Sequence, residues 1–144
     1  MNANLYDTDH AAWLRQQAEL MKTGRLSDVD TAHLIEELEA EVGNYERELN
    51  KRLLVLLIHL LKWKYQPDQR SSSWRGTIRV QRKDIGRLLK GNPSLKRLVE
   101  AEIEDAYPDA VDLASYETSL LQDTFPASCE WSETEILNPD FWPD

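Results

Sequence analysis

One apolar seam constrains this chain more than any other feature. At 100° per residue, Ile35, Leu38, Val42, Tyr45, Leu49, Leu53, Leu56, Leu60 and Trp63 fall within an arc of about 80°. That is the stripe of a bundle or coiled-coil helix, and no strand reproduces it. From Leu53 to Leu61 the sequence is apolar on every side, so this part is expected at the centre of the fold. Ser27, spaced from Asp30 like a capping box with the shorter acid, is the expected N-cap, and Pro67 stops the helix after Tyr65. A helix over 27–65 would be roughly 55 Å long, against about 35 to 40 Å for a compact domain of this size. Either Gly43-Asn44 kinks it, or its acidic half is covered by a second subunit. Because the seam keeps phase across Gly43, the expectation is a continuous helix and a homodimer through 27–65.

The remaining segments also carry helical spacing. A first helix is expected from Thr8, as N-cap, to about Thr23, with Trp13, Leu14, Ala18 and Met21 inward and Gly24 as the stop. After a polar loop, a helix from about Ser73 to Gly91 places Trp74, Ile78, Ile85, Leu88 and Leu89 on one face. Arg75, Arg79, Arg82, Lys83, Arg87 and Lys90 fall on the other side. Asn92-Pro93 opens a fourth helix with Leu95, Leu98, Val99, Ile103 and Ala106 inward. Pro108 is expected to end it and to open a fifth, with Ala110, Val111, Leu113, Ala114 and Leu121 inward. From about residue 125 only Ser132 to Leu137 looks helical, with Ser132 and Glu135 in capping-box spacing. The tail is expected either to pack by Phe141 and Trp142 or to fray. The fold class is therefore all-α: one domain over 1–144, a bundle of about five helices around one long central helix, with a short C-terminal tail.

Charge narrows the function classes. The net charge of −9 argues against nonspecific nucleic-acid binding, but it is strongly segregated. Residues 1–61 sum to −5, residues 62–97 to +9, and residues 98–144 hold 13 acidic and no basic side chains. A basic centre between acidic arms points first to charge matching within or between subunits, and second to a patch for an anion or nucleic acid. The single cysteine, Cys129, rules out an internal disulfide and a multi-cysteine zinc site. The N-terminus lacks a basic-then-apolar leader, and no apolar run approaches a membrane span, so a cytoplasmic protein without a membrane partner is expected.

The candidate chemistry is sparse. His59 is the one polar residue in "LLVLLIHLL", where a histidine satisfied by one hydrogen bond is the ordinary outcome. In "EELEAE", Glu37 and Glu41 project into solvent, while Glu39 and Glu46 flank the seam and Glu36 lies further round. His33 near Glu36 and Glu37 is half of a carboxylate-type metal site, without the paired Glu-x-x-His signature. No metal and no cofactor are expected. Glu117 falls on the apolar arc of the fifth helix and needs a cation, a helix N-terminus or His59. Ser72 or Ser73 as N-cap, with Arg70, Arg75 and Arg79, would make an anion pocket at a helix N-terminus. Equally, Arg70 could reach back to the last carbonyls of the long helix. No nucleophile elbow, zinc-protease motif, dinucleotide fingerprint or kinase set is present.

In order along the chain, "YDTDHAAWL", "LIEELE", "LLIHLLKWKYQPDQRSSSWRGTI", "NPSLKRL", "AYPDAV" and "FPASCEW" resemble the bacterial family called domain of unknown function 29. The resemblance covers nearly the whole chain and implies a small all-helical protein with no assigned activity. It implies a pattern of Glu36, Glu37, His59, Lys62, Arg70, Trp74, Arg82 and Glu117. His33 does not match that pattern, and His10 stands where an aromatic is usual.

The leading expectation is an interaction or oligomerising module rather than an enzyme. An anion or nucleic-acid binder using helix 74–90, with Arg70, Ser73, Arg75 and Arg79, is the alternative. A hydrolase or metal-dependent enzyme would have to rest on Glu36, His59 and Glu117.

Overall fold

The computed structural model describes residues 5–144, and the chain forms two compact units, Met1–Gly43 and Asn44–Asp144. Among the described residues there are six α-helices and no strand: α1 (Leu5–Thr8), α2 (His10–Lys22), α3 (Thr31–Tyr65), α4 (Ser72–Gly91), α5 (Val99–Thr118) and α6 (Glu133–Leu137). The all-α class and the long helix are as the seam requires. Helix α3 runs through Gly43 and Asn44 without interruption.

In the first unit the expected helix stands as α2, with its cap at Asp9 rather than Thr8, and a single turn, α1, precedes it. Asp9 leaves helical geometry and caps α2, its carboxylate accepting from the Ala12 N–H at 3.0 Å. Gly24, at φ +75°, closes α2 with a Schellman pair, Arg25 N–H to Leu20 O and Gly24 N–H to Met21 O. Leu14 and Met21, expected inward, are exposed, and Gln17 is buried with Trp13. The reason is local: Gln17 Oε1 accepts the Asp30 N–H at 2.7 Å, so the buried face of α2 follows Trp13 and Gln17. Ser27 does not cap α3 either. Residues Leu26–Asp28 form a 3-10 turn, and Asp30 accepts from the His33 N–H at 3.3 Å as the cap. The seam residues Ile35, Leu38 and Val42, also expected inward, are 50%, 69% and 56% exposed.

In the second unit the apolar-all-round part of α3 is the core. Leu49, Leu53, Leu56, Leu57, Leu60 and Leu61 lose essentially all solvent contact. They belong to one cluster with Ile78 and Ile85 of α4, Val99, Ile103, Ala106, Ala110 and Ala114 of α5, and Ile136 of α6. Each fully buried leucine or isoleucine contributes on the order of 1.5–3 kcal/mol. Helix α4 is capped by Ser71, whose hydroxyl accepts the Trp74 N–H at 3.1 Å, rather than by Ser72 or Ser73.

Pro108 neither ends nor opens a helix. Residues Pro93–Leu98 form a 3-10 turn, and α5 then runs from Val99 through Pro108 to Thr118. Pro108 and Glu104, the residue whose carbonyl it leaves without its helical partner, are both exposed, so the missing bond falls on the solvent side of the helix rather than in the core. The stop is Ser119, in the left-handed region at φ 62°. Leu121 consequently lies beyond the helix and is exposed, as is Leu113. The tail packs rather than frays. Trp142 meets Trp63 at 4.7 Å between ring centroids, and α6 carries the full Ser132/Glu135 capping box.

Candidate functional site

The C-terminal end of α3 brings together most of the singled-out residues of the second unit. His59 and Lys62 are three residues apart and share a helix face. His59 Nδ1 donates to the Val55 carbonyl at 2.8 Å, which leaves Nε2 as the acceptor of a neutral ring. Burial holds this imidazole below the ordinary histidine value; the Val55 carbonyl opposes the shift, nearby Lys62 adds to it, and Glu117 opposes it.

Lys62 is buried, and its stem is covered by the core while Nζ reaches Glu117 Oε1 at 2.8 Å. The same ammonium sits 4.8 Å above the centre of the Trp74 ring. Glu117, with 41% of its side chain exposed, opens this group to solvent. The carboxylate on the apolar arc of α5 has thus found its cation, and the cation is Lys62 rather than an arginine. Chemically, the arrangement is a neutral imidazole beside a buried ammonium and a half-exposed carboxylate.

Arg70 takes the second course open to it. Its Nε donates to the Trp63 carbonyl at 2.7 Å, one of the last carbonyls of α3, and Nη2 donates to the Pro143 carbonyl at 3.3 Å. The guanidinium lies 4.9 Å from the Trp63 ring centre, and Arg75 lies 5.5 Å from it. Arg82, which the spacing assigns to the polar side of α4, is buried. Its Nε donates to the Ile136 carbonyl at 2.8 Å, and its guanidinium faces Trp142 at 5.6 Å. The signal for that burial was available, because Arg82 stands four residues after Ile78 and three before Ile85, beside the apolar arc.

The C-terminal acidic arm partly neutralises the basic centre: besides Lys62–Glu117, Lys64 meets Glu130 at 2.7 Å, where Tyr65 also donates. Arg52, from the N-terminal segment, meets Glu48 of the same segment and Asp84 of the centre, each at 3.1 Å. Among the described residues, Arg87 is the one cation of α4 with a carboxylate in ion-pair range, Asp84 at 3.7 Å.

Glu36 and Glu37 belong to the first unit. Glu36 is exposed. Glu37 accepts from the Tyr6 hydroxyl at 2.7 Å and lies 3.2 Å from His10 Nε2, and this hydrogen bond is the main cause that pushes the Tyr6 phenol up to about 12. His33 is engaged by Asp30 at 2.6 Å rather than by Glu36 and stacks on Tyr6 at 4.0 Å. The Asp30 hydrogen bond holds His33 above the ordinary histidine value. Among the described residues, no group of three histidine, cysteine or acidic side chains is placed to hold a metal ion, and no helix is long and apolar enough to cross a membrane.

The family model described as domain of unknown function DUF29 matches residues 5–142. The chain belongs to this family. No curated protein and no solved structure matches it. The DUF29 match covers both compact units, so the first unit with its exposed seam and the second with its His59–Lys62–Glu117 group lie within one family domain.

Proposed function

We propose that this DUF29 protein is an oligomerising interaction module, and that the N-terminal half of α3 pairs with a second copy. The exposed ridge carries the reading. Ile35, Leu38, Val42 and Tyr45 continue, in phase, the same seam whose members from Leu49 onward are buried, yet they stand exposed on the isolated chain. Covering four such side chains is worth on the order of 5 kcal/mol per protomer, or about 10 for a symmetric pair. Association costs roughly 4 to 15 kcal/mol, so the pair should be a concentration-dependent dimer rather than a permanent one.

Glu39 and Glu46 flank the ridge. Two copies therefore repel at low ionic strength, and added salt should strengthen their association, whereas pairing with a basic partner would weaken. Replacing Leu38→Glu with Val42→Glu tests this. The double variant should sediment as a monomer with an unchanged thermal transition for the core. Equal association of variant and wild type would remove the ridge from the interface.

The second reading is an anion or nucleic-acid binder on the outer face of 74–90. It draws on Arg79, Lys83 and Lys90, which have no carboxylate in ion-pair range among the described residues. Binding should fall steeply with salt and weaken in Arg75→Glu with Arg79→Glu. Absence of binding at low salt eliminates it.

A further inference from the structure

A cleft of about 480 Å³ opens between α4 and the end of α6, lined by Arg79, Val80, Arg82, Lys83, Leu137 and Pro139. Every charged group in that lining is a cation, and one of them is unusual. Arg82 is 94% buried by the complement of its 6% exposure, has no carboxylate in ion-pair range among the described residues, and has one donor, Nη1, without any hydrogen-bond partner. Its other contacts are neutral: the Ile136 carbonyl on Nε, a long 3.5 Å contact from Nη2 to the Glu135 carbonyl, and the Trp142 ring. The nearby Glu135 carboxylate is committed to the Ser132 cap.

A buried cation lacking both a counter-charge and one hydrogen bond is costly, and proteins retain such groups where something else supplies the compensation. The rest of the lining says what that would be. Arg79 and Lys83 are exposed at the rim, whereas Val80, Leu137 and Pro139 are apolar walls. We propose that this cleft binds an oxyanion, a carboxylate or phosphate, carried on a small apolar body. Arg82 supplies the buried positive floor, Arg79 and Lys83 hold the anion at the rim, and the apolar walls receive the attached group. Burial already holds the Arg82 guanidinium below its usual value, and a nearby anion would reverse that direction. Nη1 is closed to solvent, so the anion acts on Arg82 through its charge.

The cleft shares Arg79 and Lys83 with the outer-face reading above but not Arg75 or Arg87, so variants of those last two residues tell the two sites apart. The cleft is independent of dimerisation. Phenyl phosphate, benzoate and inorganic phosphate serve as probes, titrated at low salt while the indole N–H of Trp142 and the backbone amide of Leu137 are followed by NMR. Phenyl phosphate and benzoate should give saturable shifts at both positions, with inorganic phosphate weaker. Arg79→Gln with Lys83→Gln, both at exposed positions, should weaken phenyl phosphate by roughly tenfold or more. Arg75→Gln with Arg87→Gln should leave it within about twofold. No saturable shift in the wild type, or equal loss in both double variants, overturns the site. Inorganic phosphate binding as tightly as phenyl phosphate overturns the assignment of an apolar body.

Discussion

Lys62 and Glu117 show what a single pair does at the boundary of the core. The ammonium is the buried partner and the carboxylate the half-exposed one, so the two truncations are unequal. Glu117→Gln strands a buried charge and should cost roughly 1–2 kcal/mol, discounted because Glu117 remains partly solvated. Lys62→Met removes the charge while keeping the stem, and should cost less. Chemical denaturation of the two variants checks the order. The histidines separate with opposite sign. His59 is held below its ordinary value, so its contribution to stability is complete above about pH 6.5 and is lost as pH falls through its lowered folded value. His33 is held above, so its contribution is complete below about pH 6.5 and disappears as pH rises through its raised value. Titration by NMR should place His33 above His59, and the reverse order would contradict both environments. At this scale the sequence was half legible. The need of Glu117 for a cation could be read from its place on an apolar arc, but Lys62 lies on another helix and no spacing rule reaches it. Arg82 was misplaced because a guanidinium defaults to solvent, and its contacts with the Ile136 and Glu135 carbonyls and the Trp142 ring appear only once the C-terminal segment packs on α4.

The helices were legible in their interiors and less so at their ends. The face of α4 and the core half of α3 follow from periodicity, because burying an apolar arc outweighs local preference. The caps moved by one to three residues, from Thr8 to Asp9, from Ser27 to Asp30, and from Ser73 to Ser71, since several neighbouring residues could each accept the first free N–H. Pro108 was misread for a physical reason. A proline whose ring and whose orphaned carbonyl both face water bends the accounting little, and α5 continues to Ser119. That serine is the one non-glycine described residue with positive φ. Ser119→Gly should relieve left-handed strain and stabilise the chain by roughly 0.5–1 kcal/mol. Calorimetry should show the melting temperature rising by about 2–4 °C, and a fall would mean that Ser119 makes a compensating contact.

At the level of the molecule, one helix carries two kinds of surface. Its seam is continuous in sequence, but from Leu49 onward it is core, whereas Ile35, Leu38, Val42 and Tyr45 remain open to solvent. The sequence could show the seam and its phase across Gly43. It could not show which half this chain covers by itself, because that depends on where α4 and α5 pack. The charge segregation was likewise visible in outline, while its resolution into Lys62–Glu117, Lys64–Glu130 and carbonyl-bound Arg70 and Arg82 needed the fold. The open ridge is the basis of the central claim, and sedimentation equilibrium of the wild-type protein tests it most directly. The mass should rise from 16.7 kDa towards twice that value with concentration, and further at higher salt. A constant 16.7 kDa at every concentration and ionic strength would contradict it.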